Sequence, residues 1–383
     1  MQYRSFPKTP QVKISTLGFG CMRLPVLSGD FARIDEERAL PLLHAAIDAG
    51  VNYVDTAWPY HAGQSELFVG RALKGGWRSR VHLATKLPVW MVKTEADWEG
   101  FLDNQLKKLD TECIDFYLMH SISGVPWQTI LKLHGMKALE RAKADGRISQ
   151  IGFSFHGSPG DFKTIIDGFD WDFCQIQFNF LDEQFQAGLE GLRYATARKV
   201  GVVAMEPLRG GTLAKVPPAV HQIWERSKRP WSPAEWALRW IWHHPEVVTV
   251  LSGMNAEEQL RENLMAADAA RILSAEDLVF VDEVKKFYRS RTRVPCTACG
   301  YCQPCPSGVS IPNALSLYND VVMFESRTAP AFVYDHFFLK AGAGADQCTE
   351  CGECEPKCPQ NIPITTMLKE AHSALTNGGK RDG

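Results

Sequence analysis

Val51-Asn52-Tyr53-Val54-Asp55-Thr56-Ala57-Trp58-Pro59-Tyr60 is a run of largely apolar residues that meets a carboxylate and, five positions on, a phenol. A carboxylate at the end of a buried run is costly unless something pairs with it. Two later runs end similarly, 81–86 in Lys86 and 114–120 in His120. Consecutive buried strands that each deliver an ionisable side chain at the C-terminal end point to a parallel barrel with its reactive groups at that rim.

The flanking sequence keeps the same alternation. Residues 1–13 are polar and read as a short hairpin across the barrel bottom. Strands are expected at 14–21, 51–55, 81–86, 114–119, 148–153, 173–178, 201–204 and 247–251. Between them fall helical patterns, among them single helices over 127–144 and 183–199, and a longer connection at 210–230 that reads as a loop over the active site. Eight strand–helix pairs predict a (β/α)8 TIM barrel. A doubly wound sheet is the competing layout, but no G-x-G-x-x-G follows an early strand, so its dinucleotide fingerprint is absent.

With 383 residues, 45% hydrophobic and 22% charged, the chain can bury a large core. Its net charge is only −2, and neither the body nor the tail carries a basic stripe suited to nucleic acid. No 18-residue apolar run predicts a membrane span, and the start lacks the apolar segment of a secretory signal. Eight of the eleven cysteines lie beyond residue 295 in two C-x-x-C series, which reads as metal thiolate chemistry in a reducing, cytoplasmic setting. The polar junction 289–295 divides a barrel domain, 1–290, from a small α-rich domain that carries the eight cysteines, 291–383. The latter is short for a core and gains folding energy from metal.

Asp55, Tyr60, Lys86 and His120 form a complete set for hydride transfer to a carbonyl. A phenol can protonate the developing alkoxide, although its free pKa of ~10 makes it a reluctant acid–base. A neighbouring ammonium favours the phenolate, a carboxylate holds that ammonium, and a histidine can donate to the carbonyl oxygen.

On these residues the chain resembles an aldo-keto reductase: Asp55 and Tyr60 stand in D-T-A-x-x-Y, Lys86 in A-T-K and His120 in Y-L-M-H, with L-G-F-G-C-M-R-L-P at 17–25. The resemblance implies that NADP(H), less often NAD(H), lies across the C-terminal rim without a Rossmann domain. It assigns Ser154 and Gln175 to the nicotinamide. Leu208, Gly210, Ser252, Gly253 and Met254 fall on the pyrophosphate and ribose path, and Gln259, Glu262 and Asn263 at the adenosine end. The sequence departs from the family at Phe155, where an asparagine is usual, and at Met205, where an aromatic usually stacks on the nicotinamide. At Gln259 it lacks a frequent phosphate-binding arginine.

The tail reads Cys296-x-x-Cys299-x-x-Cys302-x-x-Cys305-Pro306, then Cys348-x-x-Cys351-x-x-Cys354-x-x-x-Cys358-Pro359. The second series has the bacterial ferredoxin spacing for [4Fe–4S] ligation, and the first is one residue short before Cys305. Similarity to two-cluster ferredoxins, and to the tail of one branch of the aldo-keto reductases, implies crossed ligand sets. One cluster takes Cys296, Cys299, Cys302 and Cys358, the other Cys348, Cys351, Cys354 and Cys305. Zinc is the alternative, since Cys₄ sites also use C-x-x-C pairs.

Trp58, Trp90, Met91 and Trp127 fall in or beside rim loops, as pocket wall or as barrel–helix packing, and Arg23 could meet an anionic group. Cys21, Cys113 and Cys174 read as small buried hydrophobes. The leading reading is an oxidoreductase acting on a small carbonyl or alcohol. A ferredoxin-coupled reductase fed single electrons by a ferredoxin-type partner, and a non-enzymatic electron carrier on a barrel scaffold, are the alternatives.

Overall fold

Short apolar runs form strands buried on both faces, as a parallel sheet sheathed in helices requires. In the computed structural model, which describes residues 1–268, 272–296 and 298–376, a hairpin of β1 (Tyr3–Phe6) and β2 (Thr9–Ser15) comes first. Eight parallel strands follow: β3 (Leu17–Gly20), β4 (Tyr53–Asp55), β5 (His82–Leu87), β6 (Ile114–Ile122), β7 (Ile148–Phe155), β8 (Phe173–Gln177), β9 (Gly201–Met205) and β10 (Val247–Ser252). They pair in chain order, and β10 returns to β3 to close the barrel. Gly20 lies opposite Asp55, Lys86 opposite Leu118, and Ser154 opposite Gln175, so the C-terminal ends carry the candidate residues around one rim.

The opposite end is sealed by Phe6 at the end of β1. Its ring packs against Phe116 at 5.1 Å and Phe173 at 5.7 Å. A Cβ at Gly201 would stand 2.1 Å from that ring, so this position on β9 admits nothing larger than hydrogen. The polar N-terminal segment thus contributes a core residue.

Three stretches differ from the sequence expectation. The span 127–144 is two helices, Gly124–Lys132 and Gly135–Ala144, broken where His134 takes φ +52°. The indole N–H of Trp98 donates to the Leu133 carbonyl at 2.7 Å, and its ring lies so close to Gly135 that a Cβ there would be 2.9 Å away. The break therefore satisfies a carbonyl and seats an indole. Over 183–199 the helix is confined to Gly188–Ala197, because residues just before it turn on side-chain bonds from Asn179 to the backbone of Leu181 and Asp182. The connection 210–230 contains a helix, Pro218–Arg226, started by its proline and burying Val220, Ile223 and Trp224.

The chain divides into two units: Met1–Arg209 with Ala234–Ser274, and Gly210–Pro233 with the chain from Ala275 onward. In the second unit, helix Pro218–Arg226 is tied to helix Ala275–Ser290 by an Arg226–Glu283 ion pair, and Arg229 pairs with Asp277 nearby. Helices Ile311–Phe324, Thr328–Tyr334 and Ile364–Thr376 enclose a small core that includes Val294, Leu315, Tyr334, Ile364 and Leu368. The Tyr334 hydroxyl accepts from the Ala345 N–H at 2.7 Å. No helix among the described residues is long and apolar enough to cross a membrane.

Phe6→Ala should destabilise the barrel by about 3–5 kcal/mol, the usual cost of emptying a packed aromatic site. Chemical denaturation measures it, and the tail should retain its own transition.

Candidate active site

Lys86 is fully buried on β5 and its ammonium is the centre of the site. The nitrogen donates to Asp55 Oδ1 at 2.6 Å and Oδ2 at 2.7 Å, to the Thr56 carbonyl at 2.8 Å and to the Tyr60 hydroxyl at 3.2 Å. An ammonium has three protons, and carboxylate, carbonyl and phenol oxygen consume them. Because Tyr60 accepts here, its own proton remains available to another oxygen.

Burial sets the ionisation of the group. It raises the Asp55 pKa against the opposing pull of Lys86, and it raises that of Tyr60 despite the ammonium beside it. Burial works against the charge on Lys86 as well, but Asp55 and Tyr60 outweigh it and the pKa ends above the usual value. The ammonium does favour phenolate, as expected, but burial outweighs it and the phenol is neutral at ordinary pH.

His120 lies within β6, which runs two residues past it to Ile122. Its ring meets Tyr60 edge-on at 6.1 Å and Trp90 at 5.1 Å. Burial, then the nearby Lys86 charge, holds its pKa well below the usual value, so the imidazole is neutral. Its Nδ1 is buried without a partner.

A second network underlies β5. Glu66 is completely buried and accepts from Thr85 Oγ1 at 2.7 Å and from Lys108 Nζ at 3.2 Å. Gln105 Nε2 also bonds Glu66 and donates to the Lys86 carbonyl at 3.1 Å, while Tyr117 donates to Gln105 Oε1 at 2.7 Å. The strand segment bearing Lys86 is clamped from behind. Glu66 and Gln105 escaped the sequence reading because each lies on a helix pattern where a polar residue ordinarily faces solvent.

The remaining rim residues fall as follows. Ser154 Oγ accepts from the Ser121 N–H at 2.7 Å, tying β7 to the residue after His120. Gln175 Nε2 contacts Met205 Sδ at 3.3 Å, and its Oε1 is buried without a partner. Phe155 packs on Phe162 at 5.0 Å. Leu208 is half-buried beyond β9, whereas Gly210 belongs to the second unit. Ser252 ends β10, followed by Gly253 and buried Met254. Asn263 donates to Ser252 Oγ at 2.9 Å, which brings the helix Glu257–Asp268 onto that strand end. Gln259 Oε1 accepts from the Asn255 N–H at 2.9 Å, and Glu262 is half-buried on the same helix.

Loop positions sort the aromatic candidates. Trp127 is buried beside Trp171, and Trp58 lies between the Phe101 ring and Lys108 Nζ, which is 3.4 Å from its centroid. Both are packing residues. Trp90 and Met91 are exposed, and Trp90 faces His120. Arg23 is exposed with its stem against Gly253. Cys21 and Cys174 are fully buried, their thiol pKa values driven upward chiefly by desolvation. A polar cluster also escaped the sequence reading: Asp182 Oδ2 accepts from Gln177 at 2.8 Å, Asn179 at 3.0 Å and Arg209 at 3.0 Å. Its one signal was the closely spaced Gln177, Asn179 and Asp182 at and just beyond the end of β8.

In the second unit the cysteines line two cavities. One is bordered by Cys296, Cys299, Cys302 and Cys358, the other by Cys305, Cys348, Cys351 and Cys354, with Cys302 and Ile311 common to both. Each cavity therefore draws thiols from both series.

Residues 16–286 match the model of the Aldo/keto reductase family, and residues 295–362 match that of a 4Fe-4S dicluster domain. The uncharacterized oxidoreductase YqkF of Bacillus subtilis (strain 168) is 28% identical over 302 residues, covering 70% of this chain and 92% of that protein. The NADH-specific methylglyoxal reductase of Escherichia coli (strain K12) is 25% identical over 306 residues, with coverages of 67% and 91%. Among solved structures, the holo form of aldo-keto reductase AKR11C1 from Bacillus halodurans has a TM-score of 0.62 at 25% identity, covering 74% of this chain and 96% of that one.

Removing one partner of the buried pair leaves the other charge uncompensated. Lys86→Met should cost about 3–5 kcal/mol in chemical denaturation, and the double variant with Asp55→Leu should lose less than the two single losses added together.

Proposed function

The chain belongs to the aldo/keto reductase family, and from that premise we propose that it interconverts an aldehyde or ketone and the corresponding alcohol with a nicotinamide dinucleotide, Tyr60 being the acid–base residue. One observation carries this reading: Lys86 donates to the Tyr60 oxygen at 3.2 Å with its other protons already engaged, which leaves the phenolic proton for another oxygen. A reduced nicotinamide supplies the hydride. Tyr60 protonates the oxygen as its charge develops, and neutral His120 donates its single N–H to orient that oxygen. Asp55 and Lys86 hold the phenol in place. Trp90 is the exposed wall beside His120, suited to a planar or apolar substrate face.

The orphaned Gln175 Oε1 fits a carboxamide donor, which supports Gln175 and Ser154 as the nicotinamide residues. Met205, whose Sδ meets Gln175 Nε2 at 3.3 Å, is assigned to the same group. Leu208, Ser252, Gly253 and Met254 are assigned to the pyrophosphate and ribose, and Gln259, Glu262 and Asn263 to the adenosine. NADP(H) is the proposed cofactor and NAD(H) the alternative. Gln259 places no fixed positive charge for a 2′-phosphate, and one of the relatives is named as NADH-specific.

The dicluster match supports two [4Fe–4S] clusters in place of zinc, with ligand sets Cys296, Cys299, Cys302, Cys358 and Cys305, Cys348, Cys351, Cys354. The functional boundary is set at residues 290 and 291, and the setting is cytoplasmic. The clusters favour a second reading, in which a ferredoxin-type partner feeds single electrons through the tail.

Tyr60→Phe should lower kcat by roughly 10²–10⁴-fold, the range for a lost general acid, with nucleotide Kd nearly unchanged in a fluorescence titration. Wild-type turnover in that variant sinks the assignment. The pH profile of carbonyl reduction tests the ionisation. An acid whose pKa is raised stays protonated further into alkali, so activity should fall only above the ordinary phenol value of ~10. Protonation of His120, depressed by burial, should act only well below pH ~6.5.

A further inference from the structure

We propose that the two clusters are unequal electron acceptors: the one held by Cys305, Cys348, Cys351 and Cys354 accepts the first electron, and the one held by Cys296, Cys299, Cys302 and Cys358 accepts the second at a lower potential. The order rests on the ligand sets proposed above. Each step adds one electron from a low-potential one-electron donor, with no bond made or broken. A thiolate-ligated cluster is already negative, so reduction is harder where the surroundings are apolar and easier where protons point at its sulfurs. Both sites have four cysteines and the same cluster type, which leaves the surroundings to decide.

The surroundings share buried aliphatic walls and differ in their hydroxyl donors. The cavity of Cys296 and Cys358 is walled by Pro312, Leu315, Ile362 and Ile364, with Gln360 as its one polar side chain outside the cysteines. Leu315, Ile362 and Ile364 are almost wholly buried. The cavity of Cys348 and Cys354 is also walled by the apolar Pro306, Ile311 and Leu368, but it adds Ser307, Thr349 and Thr365 and the charged Glu353 and Lys357.

The hydroxyls differ in availability. Ser307 Oγ and Thr349 Oγ1 are 3.0 Å apart, so one proton lies between them and the other is free for a cluster sulfur. Thr365 is committed, donating to Glu355 Oε1 at 2.6 Å. The charges decide little: Lys357 and Glu353 are 3.9 Å apart and half-exposed, so they offset one another in water. Glu355 opposes the proposed order, but it is held by Thr365 near the surface, where solvent and salt screen it. Hydroxyl donors at one cavity, with none in the lining of the other, set the sign.

The test is an EPR-monitored redox titration of the anaerobically reconstituted full chain, with dithionite and mediators. Two separated one-electron waves are expected. Thr349→Val should move only the upper wave, to lower potential, and Ile362→Thr only the lower wave, upward. If Ile362→Thr loses a cluster, the surviving wave should be the upper one. A single wave in the wild-type protein, or a Thr349→Val shift confined to the lower wave, overturns the order. Iron and sulfide below two clusters per chain overturn the ligand assignment and the order with it, independently of carbonyl turnover.

Discussion

A fully buried ammonium is the constraint on which the barrel end is built. In the interior such a charge persists only when every proton finds an acceptor and an opposite charge stands close by. Asp55 supplies the charge, the Thr56 carbonyl and the Tyr60 oxygen supply the remaining acceptors, and Gln105 secures the strand from behind. Three chain segments must therefore arrive in register at β4, β5 and the turn after Asp55. The parallel pairing of these strands provides that register.

The same constraint gives the phenol its character. The ammonium draws the Tyr60 pKa downward and the dry surroundings push it upward, and burial wins. A proton donor results that is oriented by a cation without being deprotonated by it. At His120 the same two influences act together instead of opposing one another: burial and the neighbouring cation both disfavour its charge. One cavity thus keeps two potential proton carriers neutral for partly different reasons.

The barrel and the tetrad were legible because period and chemistry agreed: Asp55, Lys86 and His120 each interrupt an apolar run near the end of its strand. The cysteine module was legible through its C-x-x-C spacing, and each of two cavities draws thiols from both series. The broken helix near His134 was not legible, since Trp98 and Leu133 are distant in sequence and their contact decides it. Glu66 and Gln105 were hidden for the same reason: a polar residue in an amphipathic pattern gives no sign that a strand edge is waiting for it. The ionisation of Tyr60 required knowing how much water is excluded, which local sequence does not encode.

Phe6 belongs to the first hairpin yet fills the space left by Gly201, and β3 completes its pairing only with β10. On the ribosome the earliest segment must therefore wait while more than half the chain is made, on the order of tens of seconds at ordinary elongation rates. During that interval the nascent sheet has an open edge and an unfilled floor. The contact that seals the mature barrel thus leaves its N-terminal strands without their final partners until late in synthesis.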